Sequence, residues 1–238
     1  MDNGWESSAA AWIADMGEAG DFSRRFVLDP VMLARAGSAR RVLDVGCGEG
    51  RFCRMLAARG AETVGVDPTR ALLDEARHRD PAGRYLEASG EALPFDDGAF
   101  DLVVSYLSLI DISDMTAAIS EMARVLAPGR RLLVANLTSF VTAGQSIGLG
   151  WQRDADGQRR HFALDRYSAE SADWVEWRGI RILNHHRPLA VYMRAFLAKG
   201  LILTHFDEPL PTPDAPPDRA EAYRRAPWFL VMEWMKPG

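Results

Sequence analysis

Apolar residues fall along this chain in two alternating kinds of run. Residues 41–45 (RVLDV), 63–67 (TVGVD), 100–105 (FDLVVS) and 131–136 (RLLVAN) are short and nearly continuous in apolar character. Between them, Phe52, Met55, Leu56 and Ala57, then 71–79, then 115–126, space their apolar residues helically. Short runs closed by turn residues predict buried strands, and helical spacing predicts amphipathic helices. Arg84-Tyr85-Leu86-Glu87 adds a brief further strand. Strand and helix in strict alternation predict an α/β fold with a parallel sheet covered on both faces.

The flanks read differently. Trp12, Ile13 and Met16, then Phe22, Phe26, Val31 and Leu33, predict helices over 1–38, with a break near Pro30. Residues 139–184 hold Trp151, Trp174 and Trp177 among charges and glycines, without clear periodicity. A helix is expected over 188–199, with Pro188 at its start and Gly200 past its end. Residues 201–206 and 228–234 read as two last strands, and 209–218 (PLPTPDAPPD) as a stiff surface loop. The expected division is one domain over 1–238: a helical cap (1–38), a core (39–137), an insertion (138–187) and a carboxyl-terminal helix with strands (188–238).

Composition narrows the function. The net charge is -5 and the pI about 5.6, which offers no footprint for a nucleic-acid backbone. Two cysteines, Cys47 and Cys53, supply neither a disulfide framework nor a zinc cluster, so no metal is expected. The first residues lack a basic stretch followed by an apolar one, and no apolar run has the length of a membrane span. A cytoplasmic protein without nucleic-acid or membrane partners is expected, as a monomer or homodimer.

Chemistry concentrates in D-V-G-C-G-E-G, residues 44–50. In an open α/β sheet the ligand lies beyond the carboxyl ends of the strands, near the switch point. Gly46, Gly48 and Gly50 permit positive φ and close approach of backbone to ligand. The following helix start favours a carboxylate or phosphate. A dinucleotide site would need glycine at 51, where Arg51 stands. Asp67 closes the second strand, where a carboxylate can accept from ribose hydroxyls; with Pro68 after it, a helix-capping role is the other reading.

VLDVGCGEGRF (42–52), VGVDPT (64–69), EALPFDDGAFDLVVS (91–105) and RVLAPGRRLLV (124–134) resemble, in order and spacing, the motifs of class I S-adenosylmethionine-dependent methyltransferases. HRPLAVYMRAFLAKGL with the later DEP (207–209), and the opening residues Trp5, Trp12, Asp21, Arg24 and Arg25, resemble bacterial small-molecule members of that class. The resemblance implies a Rossmann-like, mostly parallel seven-stranded sheet with helices on both faces, an N-terminal helical cap and a substrate-side insertion. It implies S-adenosyl-L-methionine as cofactor and S-adenosyl-L-homocysteine as product. Asp44, Gly46, Cys47, Gly48 and Gly50 would hold the methionine part, Asp67 and Pro68 the ribose side, and Ser89, Gly90 and Glu91 the adenine. Ser105 and Tyr106 would close the methionine side, and Arg25 would meet a carboxylate of cofactor or substrate. Many relatives carry aspartate where Ser89 stands, which leaves the adenine contacts open.

Transfer to a hydroxyl can require a base. His186 and Asp111 are the catalytic candidates, unless the acceptor is an amine or acidic phenol that needs none. Base-flipping enzymes commonly carry a proline-containing motif after the fourth strand, and 105–108 (SYLS) has no proline. The expected reaction is methylation of an oxygen or nitrogen nucleophile on a small organic molecule. Cofactor binding without methylation, or a macromolecular acceptor, are the alternatives.

Overall fold

The computed structural model describes residues 3–145 and 149–238. Residues 1, 2 and 146–148, the latter inside the expected insertion, lie outside the described residues. The core follows the alternation: β1 (Arg41–Val45), α3 (Arg51–Ala57), β2 (Glu62–Asp67), α4 (Arg70–Arg79), β3 (Arg84–Glu87), β4 (Phe100–Tyr106), α5 (Met115–Val125) and β5 (Leu126–Leu137). Before it come α1 (Trp5–Met16), a π-helical turn (Arg24–Leu28) and α2 (Asp29–Ala36). Pro30 sits in the first turn of α2, where its missing N–H is harmless, so it starts a helix rather than breaking one.

Seven strands form one sheet in the order β10-β11-β5-β4-β1-β2-β3, where β10 is Ile202–Asp207 and β11 is Phe229–Met235. β1 pairs in parallel with β2 and β4, β2 with β3, and β4 with β5; only β11 and β10 run antiparallel. Helices cover both faces. One core layer gathers Ile119, Met122, Phe196 and Trp234, the other Met32, Phe52, Leu56 and Val231. The strand order reverses at β1/β4, so the crevice for a ligand opens there, at the loops after β1 and β4.

The flanks depart from the sequence reading in two places. The insertion is ordered: α6 (Ser139–Gln145), then the antiparallel hairpin of β6 (Gly150–Arg153) and β7 (Arg159–Ala163), then that of β8 (Ser171–Trp177) and β9 (Ile180–His186). The proline-rich loop runs straight into a helix, α8 (Pro217–Arg225), because Pro217 at its first turn has no N–H to lose. α7 (Leu189–Leu197) follows Pro188 as expected, with Gly200 at φ +71° beyond its end.

Candidate active site

The chain leaves β1 through three left-handed glycines: Gly46 (φ 77°), Gly48 (φ 55°) and Gly50 (φ 74°). Each has its own reason. A Cβ at Gly46 would run into Ser108 Cβ, and one at Gly50 would lie 2.6 Å from the Tyr85 ring. At Gly48 the nearest atom is Trp12 Nε1, 4.0 Å away, so its open side faces the cap and the crevice. The amides of Gly46 and Cys47 both donate to Val66 O, at 2.8 and 3.0 Å, which fastens the loop to β2.

Asp67 stands at the end of β2 against this loop. Its Oδ2 accepts from Gly48 N at 2.9 Å and its Oδ1 from Thr69 N at 2.8 Å. Asp67 therefore orders the turn through Pro68, while Thr69 holds the position just before α4. Burial pushes the Asp67 carboxyl upward, against those two backbone bonds. Asp44, 2% exposed in β1, gives Oδ2 to the Cys53 thiol at 3.7 Å, while its Oδ1 has no hydrogen-bond partner. Loss of hydration raises it to about 7, with the charges of Asp67 and Glu49 adding to the effect. A buried, unpartnered carboxylate oxygen beside a glycine cradle fits a cationic or N–H-bearing ligand. Cys47 and Cys53 are free, buried thiols.

The adenine candidates form a short turn. Ser89 Oγ bonds the Glu91 carboxylate and accepts from Glu91 N at 3.2 Å, so its hydroxyl is engaged within the turn. Gly90 packs between Val45 and Ile112, each with an atom 3.0 Å from where a Cβ would be, so a side chain at this position would be crowded. Glu91 Oε1 receives Asp114 N at 3.3 Å and ties the turn to the loop after β4.

The N-terminal segment roofs the glycine loop. Trp12 Nε1 donates to Glu49 Oε2 at 3.3 Å, and Trp5 meets Trp12 edge-on at 5.0 Å. The Arg24 guanidinium lies 4.7 Å from the Trp12 ring centre and 5.8 Å from that of Tyr106. Arg25 is exposed instead, over Phe26 at 5.0 Å. One step along this π-helical turn therefore separates Arg24, which faces Trp12 and Tyr106 and pairs with Asp21 at 3.3 Å, from Arg25, which faces solvent. Arg51, where a dinucleotide enzyme would have glycine, bridges to buried Asp29, with Nη1 to Oδ1 at 3.1 Å. Tyr106 donates to the same Asp29 oxygen at 2.8 Å. Tyr106 thus braces the cap from below rather than closing over a ligand.

The loop after β4 completes the crevice. Ser105, fully buried, bonds Ser108 at 2.7 Å, and Ser108 donates to Val45 O at 2.6 Å; Ser105 is a strut, not a surface for ligand. Leu107 adopts φ 59°, a costly turn for a bulky residue, and swings 107–113 across the strand ends. Arg187, 5% exposed, donates to the carbonyls of Leu109 (3.1 Å), Ile112 (2.7 Å) and Ser113 (2.9 Å) and fixes that loop. Asp111 Oδ1 then accepts from Asn184 Nδ2 at 2.5 Å. Burial raises Asp111 to about 8, opposed by the Asn184 amide and the Trp5 indole. His186 behaves otherwise. Its Nε2 donates to Tyr167 O at 2.9 Å, and its Nδ1 lies 2.7 Å from the Thr142 hydroxyl, which also bonds Ser139 O at 3.3 Å. Both ring nitrogens are thus engaged by the protein's own groups.

Asn184, Arg187 and Asp29 escaped the sequence reading. Arg187 had a visible signal, lying in the HRPL string, but its loop partners are more than seventy residues away. Among the described residues no cluster of three or more metal-binding side chains occurs, and no helix is long and apolar enough to cross a membrane.

Residues 43–134 match a family model described as a methyltransferase domain. A malonyl-[acyl-carrier protein] O-methyltransferase of Salmonella typhimurium is 34% identical over 176 residues, 70% of this chain and 66% of that protein. A demethylmenaquinone methyltransferase of Thermus thermophilus is 43% identical over 110 residues, 44% of this chain and 50% of that protein. The chain spans 66%, 46% and 45% of the first three curated relatives it matches. Among solved structures, an S-adenosylmethionine dependent methyltransferase from Mesorhizobium loti is 27% identical, covering 92% of this chain and 99% of that one at a TM-score of 0.77.

Proposed function

We propose, on the premise that this chain carries a class I S-adenosylmethionine-dependent methyltransferase domain, that it methylates an oxygen or nitrogen nucleophile of a small organic molecule. The observation that carries this reading is the pairing of the 44–50 cradle with Asp67 at the strand-order switch, beside the unpartnered Oδ1 of Asp44. An ammonium group suits that oxygen, and the Asp67 carboxylate suits a ribose diol. When bound, the cofactor supplies an activated methyl group on a sulfonium. The protein's part is to hold donor and acceptor in line and to keep water out, which in favourable cases lowers a barrier by roughly 7–11 kcal/mol. The carboxylates Asp44, Glu49, Asp67 and Asp111 favour a cationic donor electrostatically.

Trp5, Trp12 and Arg24 above the cradle, with Asp111 and Asn184 across from them, would line the acceptor side. The relatives' names give malonyl-[acyl-carrier protein], an acyl group carried on a protein, and demethylmenaquinone as those proteins' acceptors, neither of them a nucleic acid. Incubation with S-adenosylmethionine carrying an isotopically labelled methyl and a panel of small acceptors tests the reading. Labelled product supports it. Binding of S-adenosylhomocysteine with no transfer to any acceptor would instead favour a cofactor-binding protein of another activity.

A further inference from the structure

We propose that Asp111 is the proton acceptor for the incoming nucleophile, and that the methyl acceptor is therefore a protic group, a hydroxyl, phenol or amine, rather than a carboxylate. The proposal rests on the methyltransferase reading above and adds the acceptor's chemistry to it.

Placement comes first. The Leu107 turn and the Arg187 clamp bring Asp111 over the carboxyl end of β4, at the switch point. Asp67, on the ribose side of the crevice, and Arg24, in the cap, both act on its charge, so it stands between the two sides. Asn184 reaches it from β9, whose next residue, His185, bonds Ile110 O at 2.8 Å through its own amide.

Among the described residues Asp111 enters no ion pair; its hydrogen-bond donors are the neutral Asn184 amide and Trp5 indole, and Arg24 acts on it only as a nearby charge. Loss of hydration outweighs these and disfavours the ionised form. Burial lifts it to about 8, within the range where a general base works near neutral pH. The other candidates are committed. Asp44 accepts from Cys53 on one oxygen and is assigned above to the cofactor's ammonium on the other, Asp67 holds two backbone amides, and both nitrogens of His186 are bonded. His185 is half-buried, and burial with the nearby Arg187 charge lowers its affinity for a proton.

The chemistry then balances. The acceptor's lone pair forms the bond to the methyl carbon, and the methyl–sulfur bond breaks with its electron pair left on sulfur. The O–H or N–H proton passes to the Asp111 carboxylate, and later to solvent. A carboxylate acceptor has no proton to give, and would face Asp111 and Asp67 as a like charge. Asn184 and Arg187 are positioning residues: one donates to Asp111 and the other fixes its loop.

Besides burial, the hydrogen bonds from Asn184 of β9 and Trp5 of α1 and the charges of Asp67 from β2 and Arg24 from the cap set the titration, and Tyr192 of α7 feels the Asp111 charge in turn; Glu91, His185 and Arg187 are the other titratable or charged groups bonded to residues 109–113 or their neighbours. The test uses the whole chain with S-adenosylmethionine and four probe classes: aliphatic alcohols, phenols including a nitrophenol, primary amines and carboxylic acids. Methylated products are expected from the first three classes and none from the acids. Asp111→Asn should lower kcat for alcohols roughly 10²–10⁴-fold, yet less than about tenfold for the nitrophenol, which is already largely ionised near pH 8. S-adenosylhomocysteine affinity should stay within about twofold, since Asp111 is placed outside the cofactor cradle. Asn184→Leu should move the acid limb of the kcat–pH profile upward, because the amide favours the ionised carboxylate. Methyl esters among the products, equal losses on alcohol and nitrophenol, or an unmoved pH limb in Asn184→Leu would overturn the proposal. Failure of the underlying reading looks different: the wild type would not bind S-adenosylhomocysteine or would methylate no probe.

Discussion

Gly46 shows how a single residue is fixed by both backbone and packing. Its φ of 77° is strained for any L side chain, and a Cβ would strike Ser108, itself bonded to Ser105 and Val45 O. Gly46→Ala should cost about 1–3 kcal/mol of stability and weaken S-adenosylhomocysteine binding, read by thermal denaturation and calorimetry. Unchanged values would mean that the loop does not depend on this contact. The left-handed turns at Gly46, Gly48 and Gly50 and the place of Asp67 at the end of β2 were legible in the sequence, because glycine spacing and the strand run set them locally. Residues whose task is set by a side chain's direction were not. Arg24 and Arg25 are adjacent and chemically identical, and only the π-helical turn decides which faces Trp12. His186 looked like a base because sequence does not reveal that Thr142 and Tyr167 take both its nitrogens.

At the scale of elements, the cap is joined to the core by a buried ion pair with a tyrosine on it. Asp29 in α2 receives Arg51 from α3 and Tyr106 from β4. Removing one partner of such a pair leaves a buried charge unanswered, so Arg51→Met should destabilise the protein by about 3 kcal/mol. It should also open residues 17–28 to protease; resistance equal to wild type would remove the pair's role in docking the cap. The central strands and helices were predictable because continuous apolar runs and helical spacing leave few other solutions. The two hairpins of the insertion were not. β8 has no strongly apolar face, being mostly exposed or half-buried, and it is held by its partner β9 and by α1 rather than by the core. Ser8 of α1 bonds Arg181 O at 3.0 Å, and Leu183 N bonds Asn3 O at 2.9 Å, contacts between segments far apart in sequence. α8 was hidden because its first residues are prolines, which read as loop until a helix follows them.

Over the whole molecule, the buried carboxylates tie stability to pH. Asp44 and Asp111 have folded values of about 7 and about 8, above the ordinary carboxylate range. Their contribution is present below the unfolded value and is lost as pH rises through the folded ones. His185, pushed down, works in the opposite sense around its ordinary value. The depressed carboxyls Asp101, Glu121 and Glu233 titrate lower still and leave this window alone. The ligand-free protein should therefore lose thermal stability between about pH 6.5 and about pH 8, and the Asp44→Asn/Asp111→Asn variant should show a flatter profile. An equally steep decline in the variant would place the titrating groups elsewhere. Asp44 lies in β1 and Asp111 in the loop after the adjacent β4, so the pH response and the proposed chemistry share one of their groups. The claim under all of this is that the 44–50 cradle and Asp67 hold the cofactor's methionine and ribose. Calorimetric titration of S-adenosylhomocysteine into wild type and Asp67→Ala tests it most directly. The account predicts binding to the wild type and a loss of about 2 kcal/mol, roughly thirtyfold, in the variant; no binding to the wild type, or equal affinity in both, would contradict it.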